Sequence, residues 1–155
     1  MRRRAAKIRK IIPDAKYNEI IVSRFVNRLM NDGKKSVVEK AIYEAFENLE
    51  KKLKKSPIDI FKEALENVTP KVEVRSRRIG GATYQIPVEV SARRGSALAL
   101  KWLKIAIENI KGKDLSTKVV TVVLESLENK GWAAKKKEEV FKMAEANKAF
   151  AHYRW

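Results

Sequence analysis

Cysteine is absent from this 155-residue chain, and histidine occurs once. Without thiols there are no disulfides, no thiolate metal sites and no cysteine nucleophile, a composition that fits a reducing compartment. Long apolar runs are missing too: no stretch approaches the ~20 residues needed to cross a bilayer. Ile11-Ile12-Pro13 is far too short for the apolar core of a signal peptide. The basic, acid-poor start also matches a mitochondrial targeting segment, and that reading stays open. Acidic residues are scarce beside basic ones, 19 Asp and Glu against 35 Lys and Arg, for a net charge of +16 at pH 7. Apolar residues make up 45%, which excludes a wholly disordered basic tail. The chain reads as a soluble, single-domain binder of something strongly negative.

The positive charge is not spread evenly. Met1–Lys10 carries +6 through Arg2, Arg3, Arg4, Lys7, Arg9 and Lys10. Gly33–Lys35 adds +2 with Lys34 and Lys35, Lys71–Lys101 adds +5, and Lys130–Lys137 adds +4. These four islands hold +17 in 52 residues, so the rest of the chain is almost neutral. Nine of the twelve arginines lie in them, the exceptions being Arg24, Arg28 and Arg154. Arginine grips phosphate through a planar fork, whereas lysine is a point charge. A single charge run is usually solvated surface; four arginine-rich islands on a neutral background point to a polyanion.

Hydrophobic spacing predicts a mainly α fold. Ile20–Asn31 places Ile21, Phe25 and Leu29 on one face before Asp32-Gly33 stops it. Ser36-Val37-Val38-Glu39 reads as a capping box opening a second helix, with Val38, Ile42, Ala45, Phe46, Leu49 and Leu53 on its stripe. A third helix starts at Ser56-Pro57 and closes at Thr69-Pro70. The period then changes to two on either side of Gly80-Gly81, which predicts a β-hairpin over residues 71–90. A three-residue loop, Gly80-Gly81-Ala82, pairs Val74 with Val88 and Val72 with Val90. It sets Arg75 and Arg77 on the opposite face with Gln85. Ser91 opens a central helix ended by Gly112. Leu115–Leu127 is β-branched, but its length and spacing favour a helix. A last helix is expected from about Ala134 to Ala149. No internal repeat or second domain is visible, so residues 1–155 read as one domain whose first 17 residues form a basic arm.

Cations also stand at the wrong ends of helices. A helix N-terminus is partly positive, yet Lys34-Lys35, Arg93-Arg94 and Lys135-Lys136-Lys137 are all expected at or in first turns. Free backbone N–H groups and cations together attract phosphate. Lys51, Lys52, Lys54 and Lys55 are the contrast: they lie at a C-terminus, and Glu47–Lys51 and Glu50–Lys54 are spaced as i,i+4 pairs. That run reads as structural. His152 has no metal-ligand spacing, Asp14, Asp32, Asp59 and Asp114 fall at turns or helix starts, and Gly80-Gly81 lacks the context of a phosphate loop. No catalysis, metal or cofactor is expected. Trp102, Trp132 and Trp155 stand undecided between packing, base stacking and a protein neighbour.

Physics alone does not separate RNA from DNA here, and a helical DNA-binding or architectural protein remains an alternative. A nuclease is a further class, which the missing acidic cluster argues against. The residues themselves, however, resemble the bacterial S seven family of small-subunit ribosomal proteins. The resemblance is carried by Asp32-Gly33-Lys34-Lys35, Glu73–Arg78 with Gly80-Gly81, Tyr84–Val90, Arg93-Arg94, Ala99–Leu103, Lys135–Glu138, Met143–Asn147 and His152–Trp155. It covers the whole chain in order. Trp132 departs from it, where a second glycine is expected after Gly131. The resemblance implies six helices, an extended β-ribbon and a loose arm. It further implies a cytoplasmic ribosomal protein that binds the 3′ major domain of 16S rRNA and nucleates assembly of the subunit head. Exit-site tRNA, the messenger exit path and ribosomal proteins S nine and S eleven are the neighbours implied, with no membrane or small-molecule substrate. Carried to matching positions, Arg2–Lys10, Lys34, Lys35, Arg75, Arg77, Arg78, Arg93, Arg94, Lys101, Lys135, Lys136 and Lys137 face RNA. The tip with Gly80, Gly81 and Tyr84 approaches tRNA or messenger.

Overall fold

Six α-helices and one antiparallel hairpin make up most of residues 10–153, the part of the chain described by the computed structural model. The order is α1 (Ile20–Leu29), α2 (Lys35–Leu53), α3 (Pro57–Val68), β1 (Val72–Ile79), β2 (Ala82–Glu89), α4 (Ala92–Asn109), α5 (Leu115–Leu127) and α6 (Gly131–Ala146). A 3₁₀ helix, Lys148–Tyr153, follows α6 and packs on β2. The arm residues Arg2, Arg3, Arg4, Lys7 and Arg9, and also Arg154 and Trp155, lie outside the described residues.

The apolar stripes meet in one core. Val22, Phe25 and Val26 of α1, Ile42, Phe46 and Leu49 of α2, and Ile60, Phe61 and Val68 of α3 are all fully or almost fully buried. Ala99 and Leu103 of α4 and Val119, Val122 and Val123 of α5 complete it. As its nearly encircling apolar residues imply, α4 is central, packing on α1, α3, α5 and α6. The β-branched run of α5 is helical because burial against α2 and α3 outweighs its weak propensity. Trp102 is 7% exposed and belongs to the core, which excludes it as a base-stacking surface.

Several local expectations need correction. The capping box at Ser36 does not form. The helix begins at Lys35 after a turn through Asp32 and Gly33, both at positive φ, whose backbone bonds (Lys34 N–H to Asn31 O, 3.1 Å; Lys35 N–H to Gly33 O, 2.8 Å) set the helix start. Ser36 therefore sits inside the first turn. The arm is also anchored earlier than expected: Asp14 is buried, accepting 3.1 Å bonds from the N–H groups of Lys16 and Tyr17 and a 2.8 Å bond from the Tyr43 hydroxyl. Burial first, and then the hydrogen bond and charge of that carboxylate, push the Tyr43 hydroxyl up to about 12.

The hairpin register differs most. The turn has two residues, not three, and pairs Glu73 with Val88, Arg75 with Ile86, and Arg77 with Tyr84. Gly80 (φ 55°) and Gly81 (φ 90°) occupy the positive-φ region that a primed two-residue turn requires and that matches the right-handed twist of the strands. Gln85 accordingly faces the other side, accepting a 3.1 Å bond from the Ser76 hydroxyl.

Helix α6 starts three residues before the expected Ala134. Residues 128–130 reverse the chain, with Asn129 at φ 53° and Gly131 at φ 79°, and Gly131 opens the helix. At φ 79° Gly131 is in the left-handed region, where any other side chain would be strained, and a Cβ there would also push aside the Glu125 carboxylate. Lys135, Lys136 and Lys137 thus lie in the second turn, beyond the reach of the helix-end charge invoked for them.

Candidate nucleic-acid interface

Between α1 and α4 runs an open cleft of about 730 Å³. Its walls follow from helical spacing. Arg24 and Arg28 are four apart on α1, while Arg93, Lys101 and Lys104 share a stripe along α4, so two rows of cations face one groove. Glu108 is the acid on its rim, 3.6 Å from Lys104. Met30, Leu100 and Ile105 give the floor apolar character. Arg24 and Arg28 lie outside the charged islands of the sequence, and only the packing of α1 on α4 shows that they face Lys101 and Lys104.

The cleft continues at both ends. At one end the Lys104 amine donates to Asn31 Oδ1 at 3.1 Å, and Asn31 leads into the turn carrying exposed Lys34 and Lys35. At the other, Arg93 and Arg94 occupy the second and third positions of α4, both exposed, as the sequence implied. No side chain caps that helix start. Arg94 then meets the base of the hairpin through Glu73: its Nε donates to Glu73 Oε2 at 3.2 Å. Arg75 holds the other oxygen, donating to Oε1 from Nε at 2.8 Å and Nη2 at 2.6 Å. Beyond Arg75 the ribbon exposes Arg77 and Arg78 up to the Gly80-Gly81 tip. Tyr84, opposite Arg77, rests its ring 5.2 Å from that of Phe150. Lys34, Lys35, Arg24, Arg28, Lys101, Lys104, Arg93, Arg94, Arg75 and Arg77 therefore form one track, with Arg78 on the opposite face of the ribbon. Along α4 it runs from Arg93 to Lys104, roughly 17 Å at ~1.5 Å per residue.

Lys135, Lys136 and Lys137 are not drawn into this track. Lys137 lines a separate groove of about 390 Å³ with Pro70, Val72 and Phe141. Its amine donates to the Asn67 carbonyl at 2.6 Å, satisfying one of the orphan carbonyls that end α3. Lys136 pairs with Glu139 at 2.9 Å. Replacing Lys137 by Gln is expected to cost about 1–2 kcal/mol in urea denaturation, the size of one charge-assisted bond. Lys135→Gln, at an exposed position, should leave the midpoint unchanged. The Lys51–Lys55 run does lie at the end of α2, with Lys54 in the left-handed C-cap, but its expected pairs do not close. Glu47 is taken by Lys16 at 2.6 Å, and no Glu50–Lys54 pair forms among the described residues.

Burial pushes the Glu73 carboxyl up, but the hydrogen bonds and charges of Arg75 and Arg94 outweigh it and hold the group below the usual carboxylate range. Because the folded state has the lower pKa, its contribution to stability is complete above about 4.5 and is lost as pH falls through the depressed value. Thermal melts between about pH 6 and pH 3 should therefore show a shallower acid loss in Glu73→Gln than in the parent chain. Equal slopes would remove Glu73 from the acid transition. Among the described residues no cluster of metal-ligating side chains forms, and no helix is long and apolar enough to cross a membrane.

Comparison with known proteins identifies the family. Residues 1–148 match the family model described as Ribosomal protein S7p/S5e. The chain is 52% identical over 155 residues to the small ribosomal subunit protein uS7 of Pseudothermotoga lettingae, covering 100% of both. It is 50% identical over 154 residues to that of Ruegeria pomeroyi, covering 99% of both, and 51% identical over 155 residues to that of Thermosipho melanesiensis, with full coverage. On these sequence matches, which span nearly the whole chain, it belongs to the ribosomal protein S7p/S5e family, as a structural, non-enzymatic constituent of the small ribosomal subunit.

Proposed function

We propose that the chain binds the 3′ major domain of 16S rRNA in the cytoplasmic ribosome through the track along α1, α4 and the hairpin, and so nucleates assembly of the subunit head. The continuity of that track is the observation that carries the reading. Phosphates are spaced along a backbone, and a row of arginine forks on rigid helices meets them without much side-chain ordering. Ile11 lines the cleft, and the ten residues that precede it in the sequence, Met1–Lys10, carry six cations. At the far end, the Gly80–Tyr84 tip approaches exit-site tRNA and messenger, and ribosomal proteins S nine and S eleven adjoin the domain. Lys135–Lys137 contribute at the periphery, through the exposed Lys135 first.

Replacing Arg24 and Arg28 together by Gln tests the cleft, because both lie outside the sequence islands. Affinity for an rRNA fragment of the 3′ major domain should fall roughly 10–100-fold and the log–log salt slope by about 2. Crosslinks from Lys101 should land on the same fragment. Undiminished affinity in the double variant would exclude the cleft from the contact surface.

A further inference from the structure

Glu73 stands out as an acid, 8% exposed, in the middle of a cationic track. A binding surface for a polyanion gains nothing from a buried carboxylate as such, and a buried charge is costly unless paired. Its two oxygens are divided between two arginines on different elements: Arg75 of β1 takes Oε1, and Arg94 of α4 takes Oε2. Each guanidinium uses only one side on Glu73. Among the described residues Arg94 engages its Nε alone, leaving both terminal nitrogens open, and Arg75 keeps Nη1 open; the two side chains are 54% and 58% exposed. The backbones are held together at the same place. A Cβ on Gly95, one residue after Arg94, would lie 2.9 Å from Thr69 Cγ2 and 3.3 Å from the Pro70 carbonyl oxygen. The first turn of α4 is thus pressed against the segment that enters β1.

We propose that Glu73 is a positioning residue that aims the open edges of Arg75 and Arg94 at successive phosphates and fixes the hairpin's direction relative to the cleft. This rests on the reading of those arginines as RNA contacts. Long arginine side chains lose rotamer freedom on binding; a shared carboxylate removes that freedom in the unbound protein, so the loss is not incurred at the encounter.

Charge counting and positioning predict opposite signs. Glu73→Gln raises the net charge by one, so diffuse electrostatics predicts tighter binding to the rRNA fragment. Positioning predicts binding weaker by roughly three- to tenfold and a shallower salt slope, as two contacts lose register. The loss should shrink to nothing when Glu73→Gln is made in a background of Arg75→Gln and Arg94→Gln, which a merely structural role would not produce. Arg94→Lys, at constant net charge, keeps the test alive if Glu73→Gln fails to fold: measured well below its melting temperature, where the variant is fully folded, it should still weaken binding. Tighter or unchanged binding in Glu73→Gln, or a loss that persists in the double-arginine background, overturns the proposal. If Arg75→Gln and Arg94→Gln each bind normally, the RNA-contact reading falls and takes the proposal with it. If they bind weakly while Glu73→Gln binds tightly, only the positioning role is lost.

Discussion

Affinity for an isolated fragment of the 3′ major domain is expected to fall roughly 10³–10⁵-fold as monovalent salt rises from about 50 to 200 mM, the consequence of neutralising ~6–10 phosphates. Ten described cations line the track, and the arm adds those of Met1–Lys10, so that number of contacts is available without invoking the rest of the surface. The same arithmetic separates a track from a diffuse cloud. A charge of +16 spread evenly would make every lysine count alike. A track makes the slope sensitive to Arg24, Arg28, Arg93 and Lys101 and insensitive to Lys51, Lys52 and Lys54 at the far end of α2. Isothermal or filter-binding titrations at several salt concentrations measure the slope directly. A flat log–log plot would show that recognition does not proceed through phosphate.

How far this surface was legible in the sequence depends on which residues are asked about. Local signals placed α3 and α5 at their observed bounds, since Pro57 starts one, Thr69-Pro70 stops it, and an unbroken apolar stripe runs through the other. The Arg93-Arg94 pair was found at the start of α4 because a cation there defies the helix dipole, which is a one-dimensional clue. The same clue misled at Lys135–Lys137. There the tight reversal at Asn129 and Gly131 moved the helix start forward by three residues, and only left-handed backbone at both positions reveals it.

The hairpin register was missed for a related reason. Alternation of apolar and polar residues argues register only where one face is buried and buried charge is excluded. Here the ribbon buries Ile86 and Glu73 on one face at its base and exposes Ser76, Arg77 and Arg78 toward its tip. Glu73 is admissible inside because Arg75 and Arg94 neutralise it, and Arg94 is 21 residues away in the chain. The cleft shows the same limit. Arg24 and Arg28 looked like exceptions to the islands because their partners, Lys101 and Lys104, come from a helix some 75 residues on, joined to α1 only by the core.

Phe61→Ala is expected to destabilise the protein by about 3–5 kcal/mol, the usual cost of truncating a fully buried aromatic residue. Phe61 has no exposed surface, and its ring centroid lies 4.9 Å from that of Phe25 and 5.5 Å from that of Phe46, so one side chain joins α1, α2 and α3. Against a typical total of roughly 5–15 kcal/mol, that loss removes from about a fifth to nearly all of the stability across the range. The consequence for function runs through α1. Phe25 faces the cavity left by the ring, whereas Arg24 and Arg28 on the same helix face the cleft. Loosening that contact frees α1 to shift and separates the two rows of cations. Urea denaturation should show the stability loss. RNA binding measured where the variant is still folded should show a smaller, secondary loss of affinity. Because RNA binds only the folded chain, saturating fragment should raise the melting temperature, with a gain of about 2.7 kcal/mol at one hundred times the Kd, reduced in the variant by its lower affinity. A stability loss below about 1 kcal/mol would mean that neighbouring side chains refill the site, and that Phe61 does not hold α1 against α3.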